Sequence, residues 1–295
     1  MPPIAHIVSG IKDELTGYYP SNEIDSFIRI LLEHFLQIST ITAYLEPDKE
    51  INIQDEARIK TAVAGLKKYC PVQYITSEAF FYGLVFKVTP DVLIPRPETE
   101  ELVHWVIHDI ISNKTENPKI LDIGCGSGCI AISLAANIPD AEVWAVDISK
   151  PALEITEENV KINRVCVHTV QADILSENID VLFPETGFDV IVSNPPYVTL
   201  PEKQDMSANV LNYEPHRALF PLGDDPLVFY DRIAAFGAHR IKENGTIYFE
   251  INEHFPEETG NILTKHHYSD VNARKDIRNR WRMIRGSRMD IHPAS

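Results

Sequence analysis

Apolar side chains at Ile24, Phe27, Ile28, Leu31, Leu32, Phe35 and Leu36 recur every three or four positions. That is the period of one helical face, and Ser21 stands where such a helix would open. A second helical pattern starts at Asn52-Ile53-Gln54-Asp55 and runs through Ala57, Ile59, Val63 and Leu66. Residues 1–75 are therefore expected to form a small helical bundle whose apolar faces serve packing. The period then changes. EAFFYGLVFKVTPDVLIP at 78–95 is rich in aromatic and β-branched residues around Gly83, which predicts a β-hairpin linker over 76–95. PRPETEELVHWVIHDII follows as a helix with glutamates in its first turn, where carboxylates suit the helix dipole.

From Lys119 strands and helices alternate. KILDIG reads as a strand and CIAISLAANI as a helix. AEVWAVDI is a strand, and PALEITEENVKIN a helix opening on proline. VHTVQADI and FDVIVSN are strands, DPLVFYDRIAAFGAHRIKENG a helix closed by Gly245, and GTIYFEI a strand. From about 256 come a helix and a pair of extended segments ending in RWRMIRG. Such alternation predicts an α/β domain over 96–295, with a mostly parallel sheet and helices on both faces.

Composition narrows the class. The 295 residues are 44% hydrophobic, enough for one large domain or two unequal ones. A formal net charge of -16 argues against non-specific binding to nucleic acid or to an anionic membrane. Four cysteines, Cys70, Cys125, Cys129 and Cys166, are too few for a disulfide framework in a chain this long and fit a reducing compartment. Cys125 and Cys129 lie four apart with no His or Cys cluster nearby, so no metal is expected. The N-terminus lacks the basic start and apolar core of a signal peptide. No apolar run approaches the ~18 residues of a membrane span. A cytoplasmic protein with no membrane partner is expected.

Chemistry gathers at the strand ends. Asp122-Ile123-Gly124-Cys125-Gly126-Ser127-Gly128 lies between a strand and its helix. Glycines there permit a tight turn and close backbone approach to a ligand. Their spacing departs from the G-x-G-x-x-G dinucleotide pattern, and no Lys-Ser/Thr pair completes a phosphate-binding loop. Asp122 suits a ligand with an ammonium group better than a pyrophosphate. Asp147 ends the next strand, roughly 20 residues on, as expected for a carboxylate that accepts ribose hydroxyls. Asp173-Ile174 ends the third, where it would meet an adenine edge. Singly, Asp147 reads as a helix cap and Asp173 as a turn residue; together the three acids point to a nucleoside. The run FDVIV stops on Ser193-Asn194-Pro195-Pro196-Tyr197. Two prolines cannot extend a sheet, and each forces the residue before it toward extended backbone. At the least this is a strand stop; it also holds the Asn194 side chain and the nearby carbonyls in place.

In these features the chain resembles class I S-adenosylmethionine-dependent methyltransferases. DIGCGSG looks like their first motif, Asp147 like their ribose-binding acid and SNPPY like their fourth motif. The resemblance implies a Rossmann-like seven-stranded methyltransferase sheet whose last strand runs antiparallel. It implies S-adenosyl-L-methionine as cofactor, held by Asp122, Gly124, Cys125, Gly126, Ser127, Gly128, Asp147, Asp173, Ile174 and Asn194. It also implies a catalytic role for Asn194, Pro195, Pro196 and Tyr197 on a planar NH2 group. Such a nitrogen is a poor nucleophile because its lone pair is delocalised, and it is too weakly acidic to be deprotonated at pH 7. The Asn194 side-chain oxygen and the Pro195 carbonyl would accept its two N–H bonds and complement the positive charge that grows on it. In-line positioning of this kind supplies roughly 7–11 kcal/mol in favourable cases. Tyr197 would stack on the planar group or wall it in, and no general base is assigned.

LIPRPETEELV at 93–103, NPPY at 194–197 and YEPHRAL at 213–219 look like the HemK/PrmC family, N5-glutamine methyltransferases of peptide chain release factors. That resemblance spans nearly the whole chain. It implies a target glutamine in a GGQ loop and a helical N-terminal domain that helps dock the protein substrate. Arg96 and Glu98 then shape the pocket, or serve as a salt-bridged helix cap. Ile174 stands where some relatives carry an aromatic residue near the adenine, and Cys125 replaces the commoner threonine. Two other substrates stay open: a glutamine on a large-subunit ribosomal protein, and the amino group of adenine or cytosine in nucleic acid. The latter calls for a basic face. Only NARKDIRNRWRMIRG supplies clustered arginines, and it reads as a solvated strand pair. Intact NPPY argues against a non-catalytic cofactor-binding module. The expected protein is a monomer acting on release factors, with no direct nucleic-acid partner.

Overall fold

The computed structural model describes residues 1–176, 179–183, 187–221, 223 and 225–288; residues 289–295 of the expected 96–295 domain lie outside them. The chain divides into two compact units, Met1–Glu78 with Ser207–Tyr213, and Ala79–Met206 with Glu214–Ser295. In the first, the helices are α1 (Ile4–Leu15), α2 (Ser21–Leu31), α3 (Thr40–Leu45), α4 (Ile53–Leu66) and α5 (Val72–Thr76). Ile24, Phe27, Ile28 and Leu31 are buried against Ile7, Ile11 and Leu15 of α1 and Ile59, Val63 and Leu66 of α4. The Asn52 side chain caps α4 by accepting the Asp55 N–H at 2.8 Å. The helix from Ser21 is not regular throughout. It widens into a π turn over Leu32–Leu36 and stops where Gln37 takes φ +56°.

The second unit, from Ala79, opens with a hairpin of β1 (Glu78–Phe81, its first residue still in the first unit) and β2 (Leu84–Lys87), then α6 (Pro97–Ser112). Proline at the start of α6 and Glu98 and Glu100 in its first turn suit a helix N-terminus. There follow β3 (Lys119–Ile123), α7 (Cys129–Asn137), β4 (Glu142–Asp147), α8 (Lys150–Asn163), β5 (His168–Gln171) and β6 (Phe188–Ser193). Short helices come next: α9 (Leu200–Lys203), α10 (Ala208–Tyr213, part of the first unit) and α11 (His216–Leu219). The chain continues as α12 (Val228–Arg240), β7 (Ile241–Glu250), α13 (Pro256–Lys265), β8 (Tyr268–Lys275) and β9 (Trp281–Arg288).

The seven-stranded sheet has the order β5-β4-β3-β6-β7-β9-β8. β3 pairs in parallel with β4 and with β6, while β9 runs antiparallel to both β7 and β8. The last strand is thus the reversed one, as the methyltransferase resemblance implied. Alternation along the strands divides two cores. Ile120, Val143 and Val192 face Leu102 and Val106 of α6 and Leu134 of α7. Leu121, Val146 and Ile191 face Tyr230, Ile233 and Phe236 of α12. A parallel sheet buried on both faces is what α/β alternation requires. Among the described residues no helix is long and apolar enough to cross a membrane.

Two boundaries differ from the sequence expectation. β5 ends at Gln171, because Asp173 folds the chain back: its Oδ1 accepts the Leu175 N–H at 2.9 Å and its carbonyl accepts the Ser176 N–H at 2.9 Å. Gly245 does not close a helix. α12 stops at Arg240 and the chain enters β7 directly, with a register shift between Phe188 and Val190 of β6 opposite Ile241 and Thr246.

Candidate active site

Strand order runs outward from β3 through β4 and β5 on one side and from β6 through β7 on the other. An open parallel sheet leaves a crevice beyond its carboxyl ends at such a reversal. A cavity of about 350 Å³ is lined by the residues that follow these strands, within the range of small-molecule sites. Gly124, Cys125, Gly126 and Ser127 line it after β3, Asp147 at the end of β4, Asp173 and Ile174 after β5, and Asn194, Pro195 and Pro196 after β6. Four segments of the chain thus bring ten of the expected site residues to one space.

The glycine loop is tied to β4. The Gly124 and Cys125 N–H groups both donate to the Val146 carbonyl, at 2.8 and 3.0 Å. Gly126, at φ +55°, turns its N–H onto Asp147 Oδ2 at 2.9 Å, and the Ser149 N–H donates to Oδ1 at 2.8 Å. Each carboxylate oxygen keeps a further lone pair, so Asp147 can accept two more hydrogen bonds. Burial raises its pKa, opposed by these backbone N–H groups and by the charge of Arg217.

Asp122 and Gly128 are not lining residues. Asp122 is fully buried in β3, with Oδ2 accepting the Ala131 N–H at 3.1 Å and Oδ1 without a partner among the described residues. Burial pushes it up to about 7, against the lowering by that N–H. Gly128 packs on Thr156, whose hydroxyl donates to the Gly126 carbonyl at 2.9 Å. Cys125 sits with its Sγ 3.6 Å from the Thr156 hydroxyl. Burial raises both loop thiols, Cys129 to about 12, which keeps them protonated and unreactive at neutral pH.

At the end of β6 the Ser193 hydroxyl donates to the Ile123 carbonyl at 2.6 Å and ties the proline turn to the glycine loop. The Asn194 Nδ2 group donates to Thr99 Oγ1 at 3.3 Å. Tyr197 corrects an expectation: it does not wall the cavity. Its hydroxyl donates to Glu250 Oε1 at 2.9 Å, and the Asn252 side chain donates to its carbonyl at 3.2 Å. A phenol held from behind at both ends supports the turn.

The connector motifs meet in space. Arg96 donates to Glu214 Oε1 at 2.6 Å, and Glu214 Oε2 accepts the Ile94 N–H at 3.3 Å. Arg96 lines the cavity, whereas Glu98 pairs with Arg278 at 3.4 Å. Sequence reasoning missed Thr99, Arg217, Phe229 and Ile233 as lining residues, and Glu250 behind them. Thr99 and Arg217 fall inside PRPETE and YEPHRAL, so a signal existed at motif level. Nothing local marked Glu250.

The arginines of 274–285 are engaged within the protein. Arg285 pairs with Asp109 and Asp270, and Arg282 donates to Asp276 and to the Tyr197 hydroxyl, both at 3.4 Å. Arg274 lies over the Trp105 ring at 3.8 Å, and Arg280 pairs with Glu253 at 3.2 Å. These bonds account for the cluster as a brace for the β8–β9 pair.

Residues 106–235 match the family model for the methyltransferase small domain, and residues 6–76 match that for the PrmC N-terminal domain. A release factor glutamine methyltransferase of Flavobacterium psychrophilum is 42% identical over 273 residues, covering 92% of this chain and 94% of the relative. One of Bacteroides thetaiotaomicron is 39% identical over 285 residues, covering 96% and 99%. Among solved structures, the hMettl16 catalytic domain in complex with MAT2A 3'UTR hairpin 1 aligns with a TM-score of 0.57 at 16% identity. It covers 90% of this chain and 92% of that one, a likeness of fold alone.

Proposed function

The chain belongs to the release factor glutamine methyltransferase family, and on that premise we propose that it methylates the N5 amide of the glutamine in the GGQ loop of peptide chain release factors. The observation that carries the reading is one cavity shared by the glycine loop, Asp147 and the Asn194-Pro195-Pro196 turn at the sheet's reversal. The residues fit S-adenosyl-L-methionine, which supplies an electrophilic methyl group on a sulfonium centre. Asp147 has acceptor capacity for two ribose hydroxyls, and the loop residues Gly124 to Ser127 offer close backbone approach. Asp122 does not reach the cavity; buried in β3, its carboxyl accepts the Ala131 N–H and ties the strand to the first turn of α7. Asp173 and Ile174 take the adenine end.

On the substrate side, the Asn194 oxygen and the Pro195 carbonyl accept the two N–H bonds of the glutamine amide. They hold its nitrogen toward the methyl donor and favour positive charge on it. The alkylated nitrogen is strongly acidic and sheds its proton without a dedicated base. Pro196 keeps the turn stiff and Tyr197 supports it. The helical segment 1–75, with the hairpin linker 76–95 between it and the catalytic part 96–295, serves as the docking element for the protein substrate.

The test offers the purified protein S-adenosylmethionine with unmodified release factors, large-subunit ribosomal proteins and oligonucleotides, followed by mass mapping. One methyl group on the GGQ glutamine is expected. Methyl transfer only to a ribosomal protein or to an oligonucleotide would overturn the substrate assignment.

A further inference from the structure

We propose that Glu250 is the positioning residue of this site, setting through Thr99 and Tyr197 which end of the Asn194 amide meets the substrate. The proposal rests on the glutamine-methyltransferase reading and adds to it how the amide acceptor is aimed.

Glu250 ends β7 and is 2% exposed. Each of its oxygens receives one relay. The Thr99 hydroxyl donates to Oε2 at 2.6 Å. With its proton so committed, the Thr99 oxygen faces Asn194 as an acceptor and takes the Nδ2–H at 3.3 Å. An asparagine held by its NH2 turns its oxygen the other way, and Asn194 lines the cavity. In the second relay Arg282 donates to the Tyr197 hydroxyl at 3.4 Å, and that hydroxyl donates to Oε1 at 2.9 Å. An ionised carboxylate only accepts, so both relays have a single polarity. They grip Asn194 and Tyr197, the two ends of the turn.

A donor at position 250 would reverse the first relay. The Thr99 proton would then point at Asn194, which would answer with its oxygen. Its NH2 would face the substrate NH2, donor against donor. Several groups bear on the ionisation of Glu250. Tyr197 comes from the turn, Arg282 from β9, Glu98 from α6 and Tyr230 from α12, with Cys129 at the start of α7. Burial raises Glu250 above the ordinary glutamate range, opposed by the Thr99 and Tyr197 hydroxyls and Arg282. The working polarity is therefore present above that raised value and lost as pH falls through it.

The test compares Thr99→Val, Thr99→Ser and Glu250→Gln with the wild type. In Thr99→Val and Glu250→Gln, kcat should fall roughly 10- to 100-fold, while S-adenosylhomocysteine affinity changes less than about twofold. Thr99→Ser should stay near wild type, and the acid limb of the kcat profile should vanish in Glu250→Gln. Wild-type kcat in Thr99→Val, or equal losses in the serine and valine variants, would overturn the proposal. A second readout needs no turnover: hydrogen exchange of the Asn194 side-chain amide in protein labelled with 15N-asparagine. Slow exchange in the wild type and Thr99→Ser, and fast exchange in Thr99→Val, supports the relay; unchanged exchange in Thr99→Val overturns it. A wild type that methylates no release factor refutes the functional reading alone, and the exchange measurement still decides the relay.

Discussion

Gly126 and Gly128 lie two residues apart in the loop, both at positive φ, +55° and +78°. Alanine at either position takes on the left-handed strain of an added Cβ, about 1–2 kcal/mol. The surroundings differ. Beyond its chain neighbours, a Cβ at Gly126 meets no atom of the described residues within 4 Å, on a residue that lines the cavity. A Cβ at Gly128 lies 2.8 Å from Thr156 Cγ2 and 3.0 Å from Ile132 Cδ1. Thr156 is fully buried and bonded to the Gly126 carbonyl, so it has little room to retreat. Overpacking of this kind adds about 1–3 kcal/mol. Gly128→Ala should therefore be less stable than Gly126→Ala by that amount, a Tm gap of roughly 2–12 °C at about 2–4 °C per kcal/mol for a domain of this size. Affinity should rank the other way. Gly126→Ala adds a methyl group to a residue that lines the cavity, so titration calorimetry should show the larger loss of S-adenosylhomocysteine binding there. Equal Tm values for the two variants, or wild-type affinity in Gly126→Ala, would refute the reasoning.

Three further outcomes follow from the site and its braces. Asn194→Ala should keep S-adenosylhomocysteine affinity within about twofold and lower kcat by roughly 100-fold or more; equal losses of both would merge two roles kept apart here. Burial alone would raise Asp109, but the Tyr248 hydroxyl at 2.8 Å, His108 and Arg285 outweigh it and hold the carboxyl below its usual range. Its stabilising contribution is present above the ordinary carboxylate range and lost as pH falls through the depressed value. In urea titrations Asp109→Asn should thus be weaker by roughly 1–3 kcal/mol at neutral pH, the gap closing in acid; a gap independent of pH would be inconsistent with this. Arg278 and Arg280 form exposed pairs with Glu98 and Glu253, worth about 0–1 kcal/mol each. The double alanine variant should keep its Tm within a few degrees, at about 2–4 °C per kcal/mol. Salt-dependent RNA binding by the wild type that disappears in that variant would reopen the nucleic-acid reading.

Near-neighbour physics made much of this protein legible in its sequence. The three-and-four spacing from Ile24 to Leu32, the strand runs, the loop DIGCGSG with Asp147 beyond it, and the stop at Asn194-Pro195-Pro196 are each written in a short contiguous stretch. Backbone sterics and side-chain period act within such a stretch, so its composition suffices. Boundaries were less legible where a distant partner intervened, as at Gly245, where pairing with β6 extends β7 back to Ile241. The tertiary structure alone decided that Asp122 lies beneath the loop, that Tyr197 turns away from the cavity, and that Arg96 reaches Glu214. It alone joined Thr99, Asn194, Tyr197 and Arg282 around Glu250. A buried charge must find its hydrogen bonds among whatever side chains the fold brings beside it. For Glu250 those come from Thr99 of α6 and Tyr197 of the turn after β6, with Arg282 of β9 behind Tyr197, which no stretch of sequence places together.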